Sequence, residues 1–329
     1  MSIPATVLIT GASTGIGATY AERFAQRGHD LVLVARDKGR LDALAARLRE
    51  KHNIIIDVLQ ADLTQISDLT TVEARLRDDA SIGILVNNAG AAQSGSFIEQ
   101  STDSVAQLVT LNTTALVRLA SAIAPRLAQA GNGAIINIGS VVGLAPEFGM
   151  TVYGATKAFV LFLSQGMSLE LSPKGVYVQA VLPAATRTEI WERAGIDINT
   201  LSDIMEVGDL VDAALVGFDR REPVTIPPLQ DAARLGCIAG CTSGLAVGDQ
   251  AIRCRRALSS QGVIIAQQAL VRNIRFKSAC NTVSLAAFRP ASRGQHEYSR
   301  HKTSSRIAHA VRKCSEPMDQ GRRNSVRLP

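Results

Sequence analysis

The sequence predicts an α/β fold, a doubly wound parallel sheet of about seven strands with helices on both faces, and three observations lead there. Apolar runs of strand length alternate with longer helical patterns from residue 5 to about residue 230. The runs LVLVA and GAIINI are almost continuously apolar, as strands covered on both faces are. A glycine cluster, TGASTGIG, stands directly between the first apolar run and the first helical pattern.

In chain order the expected strands are ATVLIT (5–10), DLVLVA (30–35), IIIDVLQ (54–60), IGILVNN (82–88), AIINIG (134–139), VYVQAVL (176–182) and VTI (224–226). Residues 15–28, 38–51, 66–77, 102–130, 152–171 and 207–217 carry helical spacing between them. Strands separated by helices must run parallel, because a parallel pair needs a crossover, and right-handed crossovers place helices on both faces. Ligands of such sheets bind beyond the carboxyl ends of the strands, so the segments after each strand carry the chemistry.

After the first strand, Gly11, Gly15 and Gly17 let the backbone turn sharply and approach a pyrophosphate seated on the N-terminus of the following helix. After the second, Ala35 occupies the place where an acid would bind a ribose 2′-hydroxyl, and Arg36 is suited to a 2′-phosphate. NADP(H) is therefore the favoured cofactor and NAD(H) the alternative, with Asp37 and Arg40 as competing charges nearby. Past the fifth strand stands Ser140, and thirteen residues later Tyr153 and Lys157 share one helix face at i, i+4 spacing. A free tyrosine, with a pKa near ~10, is a poor acid-base group at neutral pH, but a neighbouring ammonium favours its phenolate. A serine hydroxyl can polarise and orient a carbonyl for hydride delivery.

TGASTGIG, NNAG, Asn112, Ser140 and YGATK occur in order and with the usual spacings, so residues 3 to about 230 resemble a short-chain dehydrogenase/reductase. The resemblance implies a Rossmann-type domain over residues 1–235 and an NAD(P)-dependent oxidoreductase acting on a carbonyl or secondary alcohol. It also implies a homodimer or homotetramer built through the long fourth and fifth helices. Tyr153 would be the general acid-base, Lys157 would hold the nicotinamide ribose and depress the tyrosine pKa, Ser140 would position the carbonyl, and Asn112 would anchor a water in the proton relay. Gly11, Ser13, Gly15, Ile16, Gly17, Arg36, Asp62, Leu63, Asn88, Ala89, Gly90, Pro183 and Thr188 would contact the cofactor, together with Tyr153 and Lys157. One departure is visible: PAATRT (183–188) has Ala184 where the family usually has glycine, which would strain a positive φ by roughly 1 kcal/mol. A non-catalytic dinucleotide-binding regulator or scaffold is the alternative reading, and the intact Ser140, Tyr153 and Lys157 argue against it.

Residues 187–205 are expected to close over the substrate. Trp191, Ile196, Ile198, Leu201 and Met205, with Val142, Leu144 and Phe148, are candidates for an apolar pocket or for packing the lid onto the body. Arg187 and Arg193 are the cations of that segment. A small-molecule carbonyl or alcohol of apolar or aromatic character is the expected substrate.

Residues 1–235 carry 19 Lys+Arg against 25 Asp+Glu and no cysteine, whereas residues 236–329 carry 16 against 4 and hold all five cysteines. The tail shows no Cys-x-x-Cys pair, so no metal is expected, and its scattered arginines with few aromatics do not favour nucleic acid. Its abrupt composition is what a shifted reading frame near codon 235 would produce. It is expected to be weakly ordered, with a helix at 260–274. No run of ~18 uninterrupted apolar residues and no charged leader followed by an apolar run is present, so no membrane span and a cytoplasmic location are expected.

Overall fold

The computed structural model describes residues 5–148, 150–200 and 204–228. The expected domain boundary at 235 and the basic tail lie outside the described residues, as do Leu201 and the side chain of Phe148. The described chain alternates strand and helix throughout: β1 Thr6–Thr10, α1 Gly15–Gln26, β2 Leu31–Ala35, α2 Lys38–His52, β3 Ile56–Gln60, α3 Ile66–Asp78, β4 Ile82–Asn87. A long helix follows as α4 Thr102–Val109 and α5 Leu116–Ala130, and then come β5 Ala134–Ile138, α6 Thr151–Leu171, β6 Tyr177–Val181, α7 Ile190–Arg193, α8 Val207–Asp219 and β7 Val224–Thr225.

All seven strands are parallel in the order β3-β2-β1-β4-β5-β6-β7. The order reverses at β1, where Leu8 faces Val32 on one side and Leu85 on the other. Crossovers on the two sides of that point run in opposite directions and leave a crevice at the carboxyl ends of β1 and β4. Every residue of β2, β5 and β6 is buried, because helices cover both faces. One apolar layer joins the sheet to α1, α2 and α8 through residues such as Phe24, Leu41 and Leu215. The other joins it to α3 and α5 through Leu76, Leu119 and Ile123.

Two sequence expectations change. The third strand begins at Ile56 rather than Ile54, since Ile55 is 69% exposed and its amide bonds to the Asp30 carboxylate at 2.8 Å. The helix over 102–130 is not continuous, because Thr110–Ala115 form a π-helical turn. Three threonines lie in that turn, and the Thr113 hydroxyl donates to the Val109 carbonyl at 2.6 Å, a local bond that competes with regular helix geometry. Thr102–Ala130 is long and apolar enough on average to cross a membrane. However, Arg118 interrupts it, and Leu116, Leu119, Ile123 and Leu127 pack into the core.

Candidate active site

The glycine loop, at the carboxyl end of β1, forms one wall of the crevice. Gly11 and Gly15 adopt φ of +64° and +55°, which a side chain resists, and the Thr14 side chain makes no capping bond to the start of α1. Thr10, the last residue of β1, ties this loop to the segment after β4: its hydroxyl accepts from the amides of Asn88 and Ala89, each at 3.0 Å. The Asn88 amide group donates in turn to the Thr10 and Gly11 carbonyls at 2.9 and 3.1 Å. Gly17 lies beneath the loop rather than on its open side. A Cβ there would come within 2.3 Å of the Gly11 carbonyl oxygen, so its role is the close passage of α1 under the loop.

The loop opens into a groove of about 520 Å³ lined by Gly11, Ser13, Gly15, Ile16, Arg36, Asp62, Leu63, Asn88, Ala89, Gly90 and Thr188. Eleven of the residues expected at the cofactor therefore share one cavity. Asp62 also organises its own turn, since its carboxylate accepts from the Thr64 amide and hydroxyl at 3.0 and 2.7 Å. A dinucleotide fits this surface: left-handed glycines, free helix-terminal amides and Arg36 at the far end supply what a pyrophosphate and a phosphorylated ribose require.

A second cavity of about 100 Å³ adjoins the groove and shares Ile16, Asn88, Gly90 and Thr188 with it. Ser140, Tyr153, Lys157 and Pro183 line it. Ser140 follows β5 in an extended conformation, with its hydroxyl donating to the Pro183 carbonyl at 3.4 Å and accepting from the Val142 amide at 3.2 Å. Tyr153 and Lys157, on the first turns of α6, are only 8% and 6% exposed. The Lys157 ammonium donates to the Ile138 carbonyl at 2.9 Å and stands 5.7 Å from the centre of the Tyr153 ring.

Burial dominates the protonation of both groups. It pushes the Tyr153 phenol up to about 12, against the opposing hydrogen bond of Ser140, and pulls the Lys157 ammonium down to about 8. Removal from water is thus the largest influence on each of the two groups. Asn112 sits in the π turn, 1% exposed. Its side-chain oxygen accepts from the Ala91 amide at 2.9 Å, and its nitrogen donates to the Ala91 carbonyl at 2.9 Å and to the Thr156 hydroxyl at 3.1 Å. Engaged by protein at both ends, this side chain braces the loop after β4 against α6.

Val142 and Trp191 line the second cavity, along with Ala92, Met150, Ala185 and Ile190, which sequence reasoning passed over. Met150 caps α6 in a left-handed conformation at φ +54°, a placement no periodicity announces. Leu144 packs instead with Val141, Leu182 and Ile226, and Met205 packs onto the layer beside α1 and α8. Ile196 and Ile198 do not line the cavity. Arg187 is paired with Glu206 at 2.8 Å and Arg193 with Glu189 at 2.6 Å, both in exposed ion pairs. Ala184 does not adopt a positive φ, so the strain expected there does not arise. Its neighbour's hydroxyl, Thr186, folds back on the Ala184 carbonyl at 2.9 Å. Among the described residues no group of acids, histidines or cysteines could hold a metal.

A family model described as short chain dehydrogenase matches residues 5–198. The bovine very-long-chain 3-oxoacyl-CoA reductase (Bos taurus) is 34% identical over 189 residues, covering 56% of this chain and 60% of that protein. The chain thus spans three fifths of the length of that curated relative. A short-chain dehydrogenase from Sphingobium yanoikuyae, solved in complex with NADPH, is 70% identical with a TM-score of 0.73, covering 75% of this chain and 97% of its own. The bulky-bulky ketone specific alcohol dehydrogenase from Comamonas testosteroni is 63% identical with a TM-score of 0.69, over 76% and 97% of the respective chains.

Proposed function

Since the chain belongs to the short-chain dehydrogenase family, we propose that it is an NADP(H)-dependent reductase of bulky, apolar ketones, with the reverse oxidation of the corresponding secondary alcohols. One observation carries this reading: a buried serine, tyrosine and lysine line a largely apolar cavity that opens directly into the dinucleotide groove. Ser140 holds the substrate carbonyl oxygen. Tyr153, whose burial keeps it protonated at neutral pH, donates its phenolic proton to that oxygen. Lys157 stands behind the phenol as the charge that stabilises the phenolate left by the transfer. A bound NADPH supplies the hydride that the carbonyl carbon receives. Val142, Met150, Ile190 and Trp191 exclude water and accept apolar substituents.

The relatives support both halves of the proposal, since one was solved with NADPH and another is named for bulky ketones. The test is NADPH consumption with a panel of aryl and alkyl ketones alongside hydroxylated and carboxylated ones. The ketones with two large apolar substituents are expected to give the highest kcat/KM. Turnover confined to charged or polyhydroxylated substrates would overturn the assignment.

A second copy of the chain is the proposed partner. On α6, Phe159, Phe162 and Leu169 lie on one helix face with exposures of 40%, 80% and 80%, too much apolar surface on one stripe to be left in water. Phe162→Glu is expected to shift the protein to a smaller species in light scattering while leaving the far-ultraviolet dichroism unchanged. An unchanged mass would move the interface elsewhere. A cytoplasmic location remains part of the same proposal.

A further inference from the structure

Three arginines and two acids ring the outer end of the dinucleotide groove: Arg36, Asp37 and Arg40 after β2, and Glu189 and Arg193 at the start of the lid. They are engaged unequally. No ion pair holds the Arg36 guanidinium among the described residues, and only its carbonyl is used, accepting from Gln60 at 2.9 Å. Arg40 reaches across the groove, where one guanidinium nitrogen donates to both oxygens of Glu189 at 3.0 and 2.9 Å, while another lies 3.4 Å from Asp37. Glu189 is held from its other side by Arg193 at 2.6 Å.

The Arg40 to Glu189 pair thus fastens the wall of the cofactor groove to the residue that immediately precedes α7, the first turn of the lid. Both partners are close to half exposed, 48% and 43%, so the pair is formed in a high-dielectric setting where a single carboxylate is a weak competitor. A phosphate dianion at the 2′ position would carry more charge and offer the same planar fork more acceptors. Resting on the NADP(H) reading above, we propose that Arg40 is a transferable contact: the cofactor's 2′-phosphate takes it from Glu189, so that reading the phosphate releases the first turn of the lid. With a cofactor lacking that phosphate the latch stays shut, and discrimination is expressed in the lid as well as in affinity. Glu189 is then a built-in competitor for the phosphate.

The chain carries its own reporter, since its single tryptophan is Trp191, two residues beyond Glu189, with the indole N–H donating to the Thr186 carbonyl at 2.7 Å. The full-length protein would be titrated with adenosine 2′,5′-bisphosphate and adenosine 5′-monophosphate, following tryptophan emission and, separately, heat of binding. The bisphosphate is expected to bind about tenfold more tightly and alone to change the emission. Glu189→Gln is expected to raise bisphosphate affinity about fivefold, leave the monophosphate unchanged and show altered emission before ligand is added. Glu192→Gln, which removes the same charge one turn-face away, is expected to do neither. Arg40→Ala should lose most of the preference and the emission response. A Glu189→Gln variant indistinguishable from wild type, or an Arg40→Ala variant that keeps the emission response, overturns the latch while leaving the cofactor reading intact. Absence of any 2′-phosphate preference in the wild type removes the cofactor reading and the latch with it.

Discussion

Tyr153→Phe is expected to lower kcat for ketone reduction by about a thousandfold while leaving the affinity for NADPH within a factor of about three. The substitution removes one oxygen from a residue that is 8% exposed and packs with Leu108 and Val152, so the ring keeps its place and the fold its stability. What disappears is the proton that the proposed function aims at the substrate oxygen. A water admitted to the cavity of about 100 Å³ is a weaker acid than the positioned phenol. The measurement is single-turnover NADPH oxidation combined with a binding titration. A variant that keeps wild-type kcat would show that the proton comes from elsewhere, and one that loses NADPH binding as well would show that the hydroxyl supports the groove.

Lys157→Met is expected to do two opposite things: reduce turnover by about a hundredfold or more, and stabilise the protein at pH 7 by about 1–2 kcal/mol. The wild-type ammonium is removed from water, and burial lowers its pKa from 10.5 to about 8. A difference of that size corresponds to about 3 kcal/mol of penalty on the charged form, part of which is offset by its bond to the Ile138 carbonyl. The sign follows from proton counting. Between pH 8 and 10.5 the unfolded chain keeps a proton on this lysine that the folded chain has lost, so wild-type stability rises with pH across that window. The methionine variant has no such gain, and its advantage should shrink as the pH climbs from 8 to 10.5. Denaturant unfolding at several pH values checks this, and a variant less stable than wild type at pH 7, or an advantage that does not vary with pH, would contradict it. Above pH 10 the buried Tyr153 acts in the other direction, since its raised pKa makes the folded state lose stability as the pH rises toward 12.

Most strands and helices could be read from sequence because their signals are local. LVLVA is apolar throughout and becomes a strand buried on both faces, and helix limits fell within one or two residues wherever apolar spacing stopped. Ser140, Tyr153 and Lys157 were legible together because strand ends and helix starts in a parallel sheet converge on one rim. The rest depends on contacts distant in sequence. The commitment of Asn112 to Ala91 spans 21 positions, and the bond of Arg40 to Glu189 spans 149. Nothing in either local sequence reveals them. Met150 lines the substrate cavity through a left-handed backbone that its residue type does not favour, and Leu144 leaves that cavity because an apolar cluster behind β6 offers it deeper burial. Desolvation, the largest influence on Tyr153 and Lys157, is likewise a property of the assembled site rather than of residue types.

The segment expected to close over the substrate is tied at a neck, where Thr186 and Met205 form a parallel bridge and the Arg187 and Met205 amides bond to the Met205 and Ala185 carbonyls at 3.0 and 2.9 Å. Lengthening a loop that is closed at such a neck costs only with the logarithm of its size. Its composition can drift, shorten or grow without disturbing the register of β6 against β5 and β7. On the proposed function, a fold built in this way exchanges one range of ketones for another by revising a stretch that contributes little to the sheet, while the residues assigned to the proton stay fixed on the far side of the neck.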